Sequence, residues 1–227
     1  MARVTKIDNA ILKRLNRKAE RDARIVENKP TRKYYLLFCE GARTEPNYFI
    51  SLKNVLPVNL VQVDIDPSGG KNTLSLVNHA IKMMPRYQRI NSTIEFEVWI
   101  IFDKDSFPSA NFENAINKAN AHGYNCAYSN EAFELWYLLH FEDYQNAISR
   151  KDYSKLLSNH LNKKYLKNDP DIYNLLQTLE TSREDLAIQR AINLEKIHNG
   201  KSRANSNPVT RVYKLVEELN SYKEEDE

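Results

Sequence analysis

Short apolar runs alternate with amphipathic helical runs between residues 34 and 141, and this alternation constrains the fold more than any other sequence feature. The segment 96–102 has the sequence FEVWIIF, which is typical of a strand buried on both faces. Further strands are predicted at 34–39, 61–65 and 124–128, and helices at 44–55, 73–84, 112–119 and 133–141. Four such alternations predict an α/β fold with a mostly parallel, doubly wound sheet and helices on both faces.

The chain beyond residue 141 has a different pattern, because strand signals stop there and only helical periodicity remains. Helices are predicted at 152–161, 171–180, 183–198 and 209–222. We therefore expect three parts, namely a basic N-terminal helical arm at 1–30, an α/β domain at 31–145 and a helical C-terminal extension at 146–227 packed on it. Thr44 is expected to cap the first helix of the α/β domain.

Positive charge is concentrated at the start of the chain. Residues 1–33 contain 11 Lys and Arg against 4 Asp and Glu, whereas the whole chain carries a net charge of +3. A basic arm of this density can neutralise several phosphates of a nucleic acid, and a solvated helix that only aids solubility is the alternative. No apolar run approaches the ~18 residues of a membrane span, and a signal-peptide pattern is missing. We expect a soluble, cytoplasmic protein that is not bound to a membrane.

Carboxylates follow three of the predicted strands. Glu40 follows the first strand, Asp103 and Asp105 end the third, and Glu134 lies shortly after the fourth. The carboxyl ends of parallel strands meet at one edge of a sheet, where ligands bind, so these side chains should lie close together. Residues two apart in an extended segment point the same way, so Asp103 and Asp105 should face one site. Such oxygen ligands point to Mg²⁺ or Mn²⁺, although acidic residues also end strands and cap helices by chance.

At these residues the chain resembles known proteins. The segments 38–41, 44–49 and 102–105 resemble the glutamate and D-x-D pattern of Toprim-type metal-binding domains. The longer segments 129–141 and 207–219 resemble the RloB family and the related AbiLii abortive-infection proteins. The resemblance extends over about residues 31–220 and is more specific than a lone D-x-D.

This resemblance implies a Toprim-like domain in a bacterial anti-phage (abortive infection) system, commonly encoded beside an ABC-type ATPase partner. Topoisomerases and primases with Toprim domains need further domains for which this chain has no room. A small nuclease effector that cleaves RNA, such as tRNA, or DNA is the remaining expectation. Glu131 departs from the family pattern, in which we expect proline, and it adds a charge beside the site without removing a ligand.

Five acidic residues are assigned roles on this basis. Glu40, Asp103 and Asp105 are expected to hold one or two Mg²⁺ or Mn²⁺ ions that assist phosphodiester hydrolysis. Glu45 is a further candidate ligand, and its alternative role is a charge that favours the N-terminus of its helix. Glu134 is a candidate second-metal ligand or general base, and a solvated helix residue is the alternative.

Two basic residues, Arg43 and Lys104, are candidates to contact the substrate phosphate, with surface ion pairing as the alternative. Two other functions compete with the nuclease. One is a non-catalytic regulatory subunit that binds magnesium-nucleotide or docks an ATPase, and the other is a small-molecule phosphohydrolase. The second lacks an aspartyl-nucleophile signature, because no small hydroxyl motif follows Asp105.

Overall fold

The computed structural model describes residues 13–14, 17, 32–67, 69–90 and 94–223. These residues form one five-stranded sheet with strand order β2-β1-β3-β4-β5. The strands are β1 (Lys33–Cys39), β2 (Val61–Ile65), β3 (Phe96–Asp103), β4 (Asn125–Asn130) and β5 (Val209–Thr210). The first four are parallel to one another, and β5 is antiparallel to β4.

Helices connect the strands and are the main regular elements of the chain after β4. They are α1 (Thr44–Asn54), α2 (Thr73–Ile90), α3 (Ser109–Ala121), α4 (Glu134–Leu139), α5 (Tyr153–His160), α6 (Ile172–Thr178), α7 (Glu184–Ile197) and α8 (Val212–Asn220). A single 3₁₀ turn, Arg203–Asn205, lies between α7 and β5. Within the described ranges, no helix is both long and apolar enough to cross a membrane.

The central strands are buried on both faces. Leu36, Leu37 and Phe38 of β1 are each 0% exposed, as are Ile100 and Ile101 of β3. Since successive strand residues point to opposite faces, side chains from both sides must cover this sheet. The predicted α/β fold with a mostly parallel sheet is therefore confirmed.

Strand β5 corrects the prediction that no strand follows residue 141. Val209 and Thr210 pair with Asn130 and Ser129 of β4, and the hydroxyl groups of Ser129 and Thr210 lie 2.8 Å apart. Two residues are too few to show the alternation that identifies a strand in a sequence. The helix predicted from residue 209 consequently begins at Val212.

Thr44 does not cap α1 as predicted. The residue before this helix is Arg43, and no side chain caps the first turn. The Thr44 hydroxyl instead donates a hydrogen bond to the carbonyl oxygen of Lys167 at 3.2 Å. Asn47 Nδ2 and Ser51 Oγ donate to the carbonyls of residues 168 and 170 at 3.1 and 3.2 Å. Three side chains of α1 thus fasten the segment 167–170 along the helix.

The C-terminal helices share a core with the sheet. The Tyr35 hydroxyl of β1 donates to Glu218 Oε1 of α8 at 2.7 Å, and Tyr48 of α1 packs edge-on against Tyr173 of α6. Their buried apolar side chains form one continuous cluster with those of the strands. The boundary at residue 145 stays a prediction, and contacts of this kind agree with an extension packed on the sheet.

Most of the predicted basic arm, residues 1–30, lies outside the described residues. Lys13, Arg14 and Arg17 are described and have helical backbone. Arg14 forms an ion pair with Asp64 of β2, whose side chain is 3% exposed. At this one position, the arm contacts the α/β domain through a buried carboxylate.

Candidate functional site

The ends of β1 and β3 are joined at the predicted edge of the sheet. Glu40 follows β1 directly, and its backbone N–H donates to the Ile101 carbonyl at 2.8 Å. Its carboxylate accepts a hydrogen bond from the backbone N–H of Asp103, the last residue of β3, at 3.1 Å. The parallel pairing of these strands therefore places Glu40 and Asp103 side by side, as the sequence predicts.

A cavity of about 130 Å³ opens at this edge, and all five predicted acidic residues line it. We call it the acidic cavity. Its lining consists of Glu40, Gly41, Thr44, Glu45, Asp103, Asp105, Phe133, Glu134, Arg150 and Lys167. The carboxylates come from three separate segments of the chain, 40–45, 103–105 and the start of α4, and the fold brings them into one volume.

Glu45 reaches the cavity because Gly41 has no side chain. The Gly41 N–H donates to Glu45 Oε1 at 3.3 Å, and a Cβ at Gly41 would lie 2.0 Å from Glu45 Oε2. Any side chain at residue 41 would therefore displace the Glu45 carboxylate. Glu45 is 4% exposed and Glu134 is 5% exposed, so the alternative of a solvated helix residue is wrong for Glu134.

The turn after β2 supports the backbone beside Glu40. The Gly70 N–H donates to the Glu40 carbonyl at 2.7 Å. A Cβ at Gly69 would lie 2.8 Å from the Gly41 carbonyl oxygen and 2.7 Å from the Ala42 Cα, so the two loops touch through their backbones. Glycine at residue 69 allows this approach, which holds the loop that carries Glu40 and Gly41.

The buried carboxylates are electrostatically unfavourable in their charged forms. Burial raises the pKa of Glu40 to about 7, and the charges of Glu45 and Asp105 add to this effect. Burial, together with Glu45, Glu134 and Glu40, raises the pKa of Asp103 well above its ordinary value, and the pKa of Glu45 is also raised, chiefly by burial. Asp103 Oδ1 and Glu45 Oε2 are buried and have no hydrogen-bond partner among the residues that the structure describes. These two oxygen atoms lack the partner that buried polar atoms normally have.

Asp105 enters the cavity differently from the way that the sequence predicts. Its φ of +41° is left-handed, so the chain turns after β3 and does not continue as an extended segment. Its side chain forms an ion pair with Arg150, and this contact holds the pKa of Asp105 below its usual value despite partial burial. Asp103 and Asp105 both line the cavity, as expected. The cause is the turn at Asp105 and not the alternation of side chains along a strand.

The cations that line the cavity are not the predicted ones. Arg43 is exposed and lies outside the lining, while Lys104 Nζ donates to the Phe107 carbonyl at 2.5 Å. Arg150 and Lys167 line the cavity instead, and Lys167 Nζ lies 3.5 Å from Glu134 Oε1. Sequence reasoning missed both, because they lie in irregular segments with no motif that relates them to the sheet. The phosphate-binding roles of Arg43 and Lys104 stay predictions.

The acidic cavity fits a hard cation by its chemistry. Its potential ligands are all carboxylate oxygens, the set that Mg²⁺ and Mn²⁺ prefer, and two of these oxygens have no partner. As the side chains stand, no three His, Cys, Asp or Glu residues of the described part of the chain are arranged to hold a metal ion. Shared coordination of one ion would therefore require the Glu40, Asp103 and Asp105 side chains to move from these positions.

Comparison with known proteins identifies one family. The sequence model of RloB-like proteins matches residues 35–219, a range that runs from β1 into α8 and includes every residue that lines the acidic cavity. No protein with curated annotation matches the chain. No solved structure matches it either. The family match covers most of the chain, and we conclude that this protein belongs to the RloB-like family.

Proposed function

We propose that this chain is a nuclease that depends on Mg²⁺ or Mn²⁺ and hydrolyses phosphodiester bonds of RNA or DNA at a Toprim-like acidic cavity. The observation that carries the proposal is the convergence of five carboxylates, two of which have an unpartnered buried oxygen. Glu40, Asp103 and Asp105 would hold the metal, with Glu45 and Glu134 as further ligands.

The side chains around the cavity suit this chemistry. A bound Mg²⁺ supplies polarisation of a phosphoryl oxygen and a lowered pKa for water. Burial raises the pKa of Glu40 to about 7, so its carboxylate becomes a better metal ligand as the pH rises through this value. Arg150 and Lys167 can attract the negative oxygens of a phosphate that reaches the cavity, once they leave Asp105 and Glu134 to the metal.

The size of the cavity favours a nuclease over a nucleotide-binding regulatory subunit. Pockets that enclose small molecules have volumes of about 300–1,000 Å³. The acidic cavity measures about 130 Å³, which is too small for a whole nucleotide. A single phosphate group of a long strand needs much less space, since the rest of the strand lies outside. The regulatory subunit remains the second candidate, in which the acidic edge docks a partner protein.

The biological setting of the proposal comes from the family. Resemblance to RloB and AbiLii proteins implies an effector of bacterial defence against phage, active in the cytoplasm and controlled by an ABC-type ATPase partner. Membership of the RloB-like family supports this setting. An adjacent ATPase gene, and loss of phage protection when either gene is removed, would be the expected genetic result.

The test compares two charge-removing variants with the wild type. Asp103→Asn and Glu40→Gln nearly preserve volume but remove negative charges that a hard cation requires, so metal-supported cleavage of labelled RNA and DNA should fall by about 10³-fold or more. Glu180→Gln is the control, because Glu180 is an exposed residue outside the acidic cavity. The partner ATPase is included in each assay.

Two outcomes would reject the proposal. Full cleavage by both folded variants would show that the active site lies outside the acidic cavity. The regulatory candidate would replace the nuclease if no form cleaves, although metal and partner bind normally.

A further inference from the structure

A second and larger cavity lies beside β5. It has a volume of about 470 Å³ and lies between the C-terminal end of α7, the loop that follows it, and strands β4 and β5. We call it the basic cleft. Its lining includes the four cationic residues Lys196, Lys201, Arg203 and Arg211 and a single acidic residue, Glu195. No residue lines both this cleft and the acidic cavity.

The cleft lies on the other face of the sheet from Asp103. Tyr128, which lines the cleft, stacks on Phe102 with ring centroids 6.2 Å apart. Phe102 and Asp103 are successive residues of β3, so their side chains point to opposite faces. The cleft is therefore a separate site and is not an extension of the acidic cavity.

Two arginines form rigid walls of the cleft. Arg203 donates to Glu113 Oε2 and Asn117 Oδ1, both at 3.0 Å. Arg211 forms an ion pair with Glu195, and its guanidinium lies over the Tyr128 ring at 5.6 Å from the centroid. These guanidinium groups are fixed by their partners, so the walls keep their shape without a ligand.

The two lysines of the cleft are open to solvent, whereas the histidine beside them is buried. Lys196 and Lys201 are exposed at the rim, and no carboxylate of the described residues forms an ion pair with either. His198 lines the cleft with 8% exposure, and its Nδ1 atom lies 3.3 Å from Lys201 Nζ. Burial and the nearby Lys201 lower the pKa of His198, so the imidazole is neutral at neutral pH.

We propose that the basic cleft binds a nucleoside phosphate, either as a free nucleotide or as one unit of a nucleic acid strand. Its volume lies within the range of about 300–1,000 Å³ typical of small-ligand pockets. Tyr128, Ile192 and Val209 give it an apolar floor that suits a base and a sugar. The two rim lysines suit the phosphate, because ammonium groups without a carboxylate partner attract anions. The site goes beyond the proposed nuclease function and does not depend on cleavage.

Binding is measured in EDTA, so that no metal-dependent cleavage interferes. The probe is a fluorescein-labelled single-stranded RNA, with ATP and inorganic phosphate as competitors, and ATP binding is also measured directly by calorimetry. The test variant is Lys196→Glu/Lys201→Glu. The control is Lys82→Glu/Lys155→Glu, which makes the same charge change at two exposed lysines outside the cleft. Thermal melting checks that both proteins are folded.

We expect the test variant to bind RNA, ATP or both at least about tenfold more weakly than the control, since two charge-assisted contacts become repulsive. The basic arm is present in every protein, so the comparison isolates the cleft. Displacement of the RNA by ATP identifies the free nucleotide as ligand, whereas RNA that ATP does not displace identifies the strand. Equal affinities of variant and control, or no binding of either probe by wild type, would overturn the proposal. If inorganic phosphate displaces the RNA as effectively as ATP does, the cleft does not recognise the nucleoside and is an anion site only.

Discussion

Glu40 is the residue at which the burial of charge has the clearest consequence. Three hydrogen bonds hold it in place. Its backbone N–H donates to the Ile101 carbonyl, its carbonyl accepts from the Gly70 N–H, and its carboxylate accepts from the Asp103 N–H. Its carboxylate is buried and lies near the charges of Glu45 and Asp105, so its pKa is about 7 and the folded protein favours the protonated form below that pH. A metal ion and a proton therefore compete for the same group, and metal affinity should rise as the pH passes through this value.

The raised pKa of Glu40 predicts that the metal-free protein loses stability as the pH rises. Its ordinary pKa is 4.5, so the stabilisation is complete below about pH 4.5 and is lost as the pH passes about 7. The shift corresponds to about 1–3 kcal/mol after allowance for partial exposure. Urea unfolding in EDTA at about pH 5 and about pH 8 measures this difference. Glu40→Gln should reduce it, whereas Glu180→Gln should leave it unchanged; an equal pH effect in all three proteins would contradict the assignment.

At the scale of elements, β5 is the smallest part of the sheet and joins the C-terminal helices to it. The Thr210 hydroxyl lies 2.8 Å from the Ser129 hydroxyl, and both side chains are 0% exposed. Thr210 Oγ1 also accepts a hydrogen bond from the Val212 N–H at the start of α8, at 3.3 Å. One side chain therefore connects β4, β5 and α8.

Thr210→Val should destabilise the protein by about 1–3 kcal/mol, because the shape is kept but the Ser129 hydroxyl loses its buried partner. Thr178→Val is the matched control, since Thr178 is exposed and bonds only to carbonyls of its own helix. Urea denaturation of the two variants provides the measurement. A loss of the same size in both would show that the buried hydroxyl pair contributes little.

The elements that the sequence predicts are those with enough residues to show a period. Strands β1 to β4 are runs of at least five residues with apolar or alternating patterns, so they could be recognised, together with the carboxylates at their ends. Strand β5 has only two residues, so it could not be recognised in the sequence. Arg150 and Lys167 could not be predicted either, because tertiary contacts alone bring them to the cavity. The segment of Lys167 is held by hydrogen bonds from α1 to its backbone carbonyls, which any residue type can provide.

At the scale of the whole molecule, the acidic cavity carries a cost that a metal ion would remove. Mn²⁺ or Mg²⁺ should raise the melting temperature of the chelated protein by several degrees. Linkage gives about 2.7 kcal/mol when the free metal is 100 times its dissociation constant. Asp103→Asn should be more stable than wild type in EDTA and should lose most of the metal-induced shift. A titration that leaves the wild-type melting temperature unchanged would count against the shared metal site.

Deletion of residues 1–29 should have two separable effects. Nucleic-acid affinity should fall and its salt dependence should flatten, because fewer counterions are released from the phosphates. Stability should also fall, because the buried Asp64 carboxylate loses the guanidinium of Arg14. Arg14→Ala should reproduce most of the loss of stability and little of the loss of nucleic-acid affinity. If the deletion leaves the salt slope unchanged, the arm acts in folding or in protein contacts.

The order of elements along the chain has a consequence for synthesis. Strand β5 and helix α8 come late in the chain and complete the sheet and its core. The acidic cavity likewise combines an early residue, Glu40, with a late one, Lys167. A ribosome-bound chain therefore cannot close this structure until residue 220 has left the exit tunnel. Under the proposed nuclease function, translation itself delays the activity. Interrupted chains that end before residue 209 would lack the strand and the helix that complete the sheet and its core.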